Sequence, residues 1–318
     1  MNSRVLITGI TGFVGSHLAR HLLKQDSVQI YGLHRPQTQF HRLRPIRNSI
    51  ELHPADISKP RSIFREVGEF SPDVVYHLAA ISHIPVSVDK PRRTYQINFM
   101  GTLNLLDALR KKQNSCRVVL VGSSAEYGRA ARDHGPLKEK HPLRPENPYG
   151  VSKASMDLLG GQWNQQTGLR VIRTRSFPHT GPGQRERFAC SNFARQIAEI
   201  EAGRRDILRV GNLQLTRDFL DVRDVVRAYE KLQHARPGVY NICSGSGITL
   251  ENIVNHLIDC SNREIPLEMT EERCREDEIS EIVGSNKKIQ KETGWKPTIP
   301  LHETLKDLLN YWRKRIDR

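Results

Sequence analysis

The chain has 318 residues, 37% of them hydrophobic and 26% charged, a composition that supplies one large or two smaller globular domains around a shared cleft. Its net charge of +14 comes from 49 lysines and arginines against 35 acidic residues. These are spread along the whole chain without the aromatic interleaving of a single-strand nucleic-acid binder, so the charge suits a polyanionic small substrate and no nucleic acid or membrane partner is expected.

No stretch reaches the roughly 20 apolar residues of a membrane span. The five cysteines, Cys116, Cys190, Cys243, Cys260 and Cys274, have neither Cys-x-x-Cys nor zinc-like spacing, so reduced thiols and no metal site are expected. Strand-like sequence after the first three residues leaves no room for a signal peptide, and a cytoplasmic protein is expected.

Residues 4–8 (RVLIT) read as a short apolar strand and 12–25 as a helix, with Phe13, Val14, Leu18, Leu22 and Leu23 near helical spacing. Between them runs Gly9-x-x-Gly12-x-x-Gly15. Glycines so placed permit a tight turn, let a pyrophosphate approach the backbone and bring helix close to strand, with the helix N-terminus facing the anion. A strand at 29–33 ends in Leu33-His34-Arg35, where an NAD enzyme places an acid on the ribose diol. Arg35, with His41, Arg42 and Arg44 beyond it, suits a 2′-phosphate instead, so NADP(H) is the preferred dinucleotide and NAD(H) the alternative. After a strand near 50–53, Asp56 has two readings: an acceptor for the adenine amino group, or a turn-capping carboxylate before Lys59-Pro60.

The alternation continues with helix 60–69, strand 74–78, helix 93–112, strand 117–122, helix 149–167 and strand 170–175, which predicts an α/β fold with a doubly wound parallel sheet of Rossmann type. Ser123 follows the strand CRVVLVG in GSSAEYG (122–128), and Tyr149-x-x-x-Lys153 opens the next long helix. With Tyr and Lys on one helical face, the ammonium is expected to lower the phenol's pKa while the phenol points at substrate. Ser123 either binds the substrate oxygen or satisfies its own loop backbone.

The rhythm breaks at SFPHTGPGQ (176–184), read as a loop leaving the sheet. Beyond it helices are expected at 188–203, 222–232, 249–259, 286–293 and 302–315, with VYNIC (239–243) returning to the sheet's edge. The expected division is a dinucleotide domain of 1–175, joined by about 215–245, and a smaller mixed α/β substrate domain of 176–214 and 246–318. Gly9, Ser123 and the 176–184 loop should converge beyond the carboxyl ends of the strands. Arg217 in LTRDFLDVRD and Arg275 in CREDE lie in the lid region, where each either clamps a diphosphate or pairs with Asp218 or Glu278.

GSSAEYG, LRPENPYGVSKAS (143–155), HTGPGQ (179–184), GNLQLTRDFLDVRDVVRAY (211–229), VYNICSG (239–245) and IVGSNKKIQKETGWKPTIPL (282–301) carry a resemblance along essentially the whole chain. The sequence resembles the extended short-chain dehydrogenase/reductases that modify nucleotide sugars, and within them the reductases of GDP-linked 4-keto-6-deoxyhexoses. The resemblance implies an NAD(P)H-dependent oxidoreductase that reduces the C4 ketone of GDP-4-dehydro-6-deoxy-D-mannose to GDP-D-rhamnose, with Ser123, Tyr149 and Lys153 catalytic. It implies cofactor contacts from Gly9, Thr11, Gly12, Phe13, Val14, Gly15, Arg35, Asp56, Ile57, Leu78, Ala79, Ala80, Tyr149 and Lys153. Substrate contacts are expected at Ser124, Glu126, His179, Arg217 and Arg275, and Ser82 and His83 either contact the hexose or are structural; the resemblance also implies a homodimer joined by a four-helix bundle, two helices from each subunit at about 93–112 and 149–167.

The similar GDP-mannose 4,6-dehydratases carry a carboxylate two residues before the Tyr-Gly of the serine loop, a position held here by Ala125. Glu126, one place over, is expected to turn away from elimination geometry. Pro178 stands where relatives commonly have Asn, which removes an amide expected near the sugar nucleotide. Dehydration, nucleotide-sugar 4-epimerisation and a non-enzymatic, dinucleotide-sensing role are the alternatives.

Overall fold

A computed structural model of the chain describes residues 3–112, 116–270 and 278–317. The first part alternates strand and helix: β1 (Ser3–Thr8), α1 (Phe13–Leu22), β2 (Val28–His34), β3 (Glu51–Pro54), α2 (Pro60–Phe70), β4 (Val74–His77), α3 (Ile84–Asp89), α4 (Pro91–Tyr95), α5 (Gly101–Lys111), β5 (Arg117–Val121), α6 (Ala130–Asp133), α7 (Pro148–Gln166) and β6 (Arg170–Ser176). A π-turn, Gln96–Met100, joins α4 to α5. Shorter pieces follow: β7 (His179–Thr180), α8 (Ala189–Glu201), β8 (Leu208–Val210), β9 (Thr216–Arg217), β10 (Leu220–Asp221), α9 (Val222–Leu232), β11 (Gly238–Ile242), β12 (Ile248–Thr249), α10 (Leu250–Asp259), β13 (Leu267–Met269), β14 (Glu281–Ile282), α11 (Lys287–Thr293) and α12 (Leu301–Ile316).

Seven strands form one parallel sheet in the order β11-β6-β5-β4-β1-β2-β3. Helices cover both faces, so all four residues of β4 are buried, which explains why Val74, Val75 and Tyr76 follow one another without an alternating polar residue. On one face Leu18 and Leu22 of α1 pack with Val225, Val226, Tyr229 and Leu232 of α9, the latter at the spacing of an amphipathic helix. On the other, Ile63 and Val67 of α2 meet Leu105 and Leu109 of α5 and Met156 and Trp163 of α7. Each fully buried aliphatic side chain stabilises the fold by about 2 kcal/mol. A third cluster, including Phe193, Ile197, Ile253, Leu257, Leu305, Leu309 and Trp312, joins α8, α10 and α12 away from the sheet. Among the described residues no helix is long and apolar enough to cross a membrane.

The expected regular elements stand within a few residues of their predicted places. Two of the differences lie beside the site. The 176–184 segment is not all loop: His179 and Thr180 pair in parallel with Leu220 and Asp221, and the Pro178 carbonyl accepts from the Leu220 amide at 3.0 Å. Helix α3 lies in a stretch with no helical expectation, with Pro85 in its first turn and Pro91 opening α4, a position where proline's fixed φ favours a helix and its missing N–H costs nothing.

Candidate active site

The strand order reverses at the β1–β4 neighbours, and the segments leaving their carboxyl ends build a crevice. Gly9 takes φ +72°, and a Cβ on it would lie 2.9 Å from the Ala79 amide nitrogen. A Cβ on Gly15 would collide with the Gly9 carbonyl, so both glycines are required by close backbone approach. Gly12 caps α1 without a side-chain acceptor, which leaves the first-turn amides for an anion. Thr11, Val14, Leu78 and Ala80 are half-buried around this turn. Ile57 is buried, its carbonyl accepting from Asn104 Nδ2 at 3.0 Å.

Beyond the turn, a cavity of about 580 Å³ is lined by Arg35, Asp56, Ser58, Lys90, Arg92 and Arg93, among others. Asp56 Oδ1 accepts from the Ser58 amide at 3.0 Å and from its hydroxyl at 2.7 Å. Burial alone would raise this carboxyl, but the Ser58 bonds and then Lys59 and Arg35 bring it below its ordinary value. The turn-forming role is therefore present, on the wall of the cavity.

Helix α7 begins at Pro148, with Asn147 Oδ1 accepting from the Gly150 amide at 2.9 Å. This cap sets Tyr149 and Lys153, one turn apart, against the end of β5. The Tyr149 phenol interacts with Ser123. Burial pushes the phenol up to about 12, opposed in part by that interaction. Lys153 Nζ donates to the Val121 carbonyl at 2.6 Å, and burial lowers its pKa to about 8. The expectation that Lys153 depresses the Tyr149 pKa is corrected. The ammonium is engaged by a strand carbonyl, and the buried phenol stays protonated, the form a proton donor needs.

Ser123 also serves its own loop, capping the turn Ser124–Glu126: its Oγ accepts from the Ala125 amide at 3.2 Å and its amide donates to Glu126 Oε1 at 2.7 Å. This capping box draws Glu126 inward, where it is fully buried and 3.4 Å from Arg175. The expected substrate contact of Glu126 is corrected on that ground. Ser124 is largely buried as well, and Ser82 is exposed.

The 176–184 segment folds over the start of α1. The His179 ring stacks on Phe13 with centroids 6.3 Å apart and planes 13° from parallel. His17 Nε2–H donates to the Pro182 carbonyl at 2.8 Å, and Arg42 Nε donates to the Gly183 carbonyl at 3.0 Å. His83 meets Phe188 edge-on at 5.7 Å, which joins the 82–83 segment to the start of α8. Arg217 Nη1 donates to the carbonyls of Thr216 and Ser280 at 2.8 and 3.2 Å. Its pairing with Asp218 does not form, because Asp218 accepts from Ser244, Gly245 and Gly284. Arg275 lies outside the described residues.

Three polar groups that the sequence reading did not single out support this site. Asn98, inside the π-turn, exchanges hydrogen bonds with the Ile81 backbone at 2.8 and 3.0 Å and donates to Ser152 Oγ at 2.9 Å, while Ser152 donates to the Tyr149 carbonyl at 2.7 Å. His77 bridges Thr8 at 2.8 Å and Thr102 at 3.0 Å, and burial lowers it to about 3, so the ring is neutral. Asp157 and Arg175 form a buried pair below the serine loop. The available signal was an Asn and a His amid apolar runs, residues poorly suited to helix and strand interiors unless a partner fixes them.

The profile of the family described as GDP-mannose 4,6 dehydratase matches residues 6–308. The chain belongs to the GDP-mannose 4,6 dehydratase family. Within this family, it is 36% identical to the GDP-6-deoxy-D-mannose reductase of Pseudomonas aeruginosa over 99% of both chains. It is 32% identical to the GDP-mannose 4,6-dehydratase of Yersinia enterocolitica, over 79% of this chain and 70% of that protein. A solved structure of RMD from Pseudomonas aeruginosa complexed with NADPH matches with a TM-score of 0.85 and 34% identity, covering 99% of this chain and 100% of that one. As a GDP-mannose 4,6 dehydratase family member, the chain is an extended short-chain dehydrogenase/reductase and an NAD(P)-dependent oxidoreductase.

Proposed function

We propose that the chain reduces the C4 ketone of GDP-4-dehydro-6-deoxy-D-mannose to GDP-D-rhamnose, with NADPH preferred over NADH. One observation carries this reading: the serine loop beside Tyr149 offers the crevice no carboxylate, with Ala125 at the elimination position and Glu126 sealed beneath. The match to the Pseudomonas aeruginosa reductase over 99% of both chains supports it. The residues fit the cofactor, since glycines close the turn where a pyrophosphate would approach and Arg35, Lys90, Arg92 and Arg93 line a cavity suited to a 2′-phosphate.

Bound NADPH supplies the hydride. Ser123 Oγ orients the ketone oxygen. The Tyr149 hydroxyl gives its proton to the alkoxide developing on that oxygen, and Lys153 stabilises the phenolate left behind and holds the nicotinamide ribose. Gly9 to Gly15 hold the pyrophosphate, with Leu78, Ala79 and Ala80 lining the cofactor cleft and Asp56 and Ile57 at its adenosine end. Ser82, His83, Ser124, His179, Arg217 and Arg275 receive the sugar nucleotide. Residues 1–175 with about 215–245 form the cofactor domain, supported by β11 joining the sheet, and 176–214 with 246–318 form the substrate domain, supported by the separate cluster of α8, α10 and α12. A homodimer through a four-helix bundle is part of the proposal, as is a cytoplasmic setting, since cofactor and substrate are both diffusible nucleotides.

The test offers the protein GDP-mannose alone, then GDP-mannose with a separate 4,6-dehydratase and NADPH. No change in the first mixture and a GDP-deoxyhexose with NADPH consumption in the second are expected. A ketone formed from GDP-mannose without the added dehydratase would overturn the reductase reading in favour of dehydration.

A further inference from the structure

Beneath the serine loop lies a buried ionic group that hydride transfer does not itself require. Glu126, Asp157 and Arg175 are 0%, 2% and 6% exposed. Asp157 stands one turn beyond Lys153 on α7, and Arg175 lies near the end of β6. Arg175 Nε and Nη2 reach Asp157 Oδ2 at 2.8 and 2.7 Å, and Arg173 Nη1 donates to Asp157 Oδ1 at 2.6 Å. Arg175 also lies over the Tyr127 ring, 4.9 Å from its centroid. Asp157 is thus compensated by two guanidinium groups.

Glu126 is placed differently. Its Oε1 accepts from the Ser123 amide at 2.7 Å, whereas its buried Oε2 has no donor at hydrogen-bond distance and only the longer approach of Arg175 at 3.4 Å. A carboxylate oxygen so placed is costly. A proton on Oε2 removes the cost by donating to Asp157, whose Oδ2 shares the Arg175 Nε with Glu126 Oε2 at 2.8 and 3.4 Å. Burial first, and the Asp157 charge second, push the Glu126 carboxyl well above its ordinary value, consistent with a neutral acid.

We propose that Glu126 is a positioning residue that works as a neutral acid, holding the Ser123 amide with one oxygen and giving its O–H to Asp157 with the other. The serine loop is thereby fixed to helix α7, so that Ser123 Oγ keeps its place beside Tyr149. The effect on turnover rests on the reductase reading.

Glu126→Gln preserves an acceptor for Ser123 and a donor for Asp157, and Glu126→Ala removes both. The Gln variant should keep near-normal kcat, while the Ala variant loses about 10- to 100-fold in kcat with the KM for NADPH unchanged. Adding Glu126→Ala to Ser123→Ala should lower kcat little further, because the two act as a unit. Additive losses, or a Gln variant as impaired as the Ala variant, overturn the proposal. Amide exchange of the Ser123 segment reads the same contact without turnover: slow in the wild type and the Gln variant, faster in the Ala variant. If the Ala variant does not fold, a Gln variant with lost Ser123 protection overturns the proposal by itself. The expected exchange pattern in a wild type that does not reduce the keto sugar counts against the reductase reading alone.

Discussion

Burial acts on Tyr149 and Lys153 in opposite directions, raising the phenol to about 12 and lowering the ammonium to about 8. Both shifts favour the neutral form. For Tyr149 this preserves the acid across the neutral range. For Lys153 the charge is present below about pH 8 and lost above it. The kcat/KM for ketone reduction should therefore hold through neutral pH and fall as pH rises past about 8, and Lys153→Arg should move that decline upward. Tyr149→Phe should lower turnover by about 10²- to 10⁴-fold while leaving NADPH affinity nearly intact. A profile flat to pH 10, or a Phe variant with ordinary turnover, would contradict these assignments. The candidate serine–tyrosine–lysine set could be read because Tyr149 and Lys153 lie one helical turn apart and Ser123 ends a plain apolar strand. That Glu126 turns away from the elimination position could be read, but its seat beside Arg175 and Asp157 could not, because the sequence does not place those partners next to it. The Lys153 contact with a strand carbonyl was illegible for the same reason.

At the scale of elements, the helices that carry the site also bear exposed apolar side chains. Val88 on α3, Met100 in the π-turn, and Val151 and Leu158 on α7 are exposed large hydrophobics, Leu158 at 67%. Exposed apolar side chains gathered on neighbouring helices fit a surface covered by a second copy. Leu158→Glu should convert a dimer to a monomer by sedimentation or light scattering, with the fold retained by circular dichroism. A wild type that is monomeric at micromolar concentration would contradict the four-helix arrangement. The sheet strands and long helices were readable because buried parallel strands are β-branched runs and helices repeat their apolar face. Pairs of two residues such as His179–Thr180 with Leu220–Asp221 have no period to read. The π-turn at Asn98 was hidden within an ordinary helical pattern.

Across the whole molecule, segments far apart in sequence are drawn to one crevice: the glycine turn, the serine loop, the start of α7 and the 176–184 segment. The strand order predicts that convergence, because ligands of such sheets sit where it reverses. The contacts that fix the 176–184 segment, His17 to Pro182 and Arg42 to Gly183, are long-range and could not be read from composition. The positive charge also has a local form, since Arg42, Arg185 and Arg315 lie close enough to His41 to help lower its pKa, after burial as the main cause. That distribution suits an anionic nucleotide ligand.

The proposed reaction delivers hydride to C4 of a GDP-linked keto sugar, with Tyr149 supplying the proton. Its most direct test follows deuterium from NADPH labelled at the nicotinamide C4 into the product, using keto sugar made in situ by a separate dehydratase. A GDP-6-deoxyhexose carrying deuterium at C4 of the sugar is expected. NADPH left unconsumed, or a product with no deuterium at C4, would contradict it.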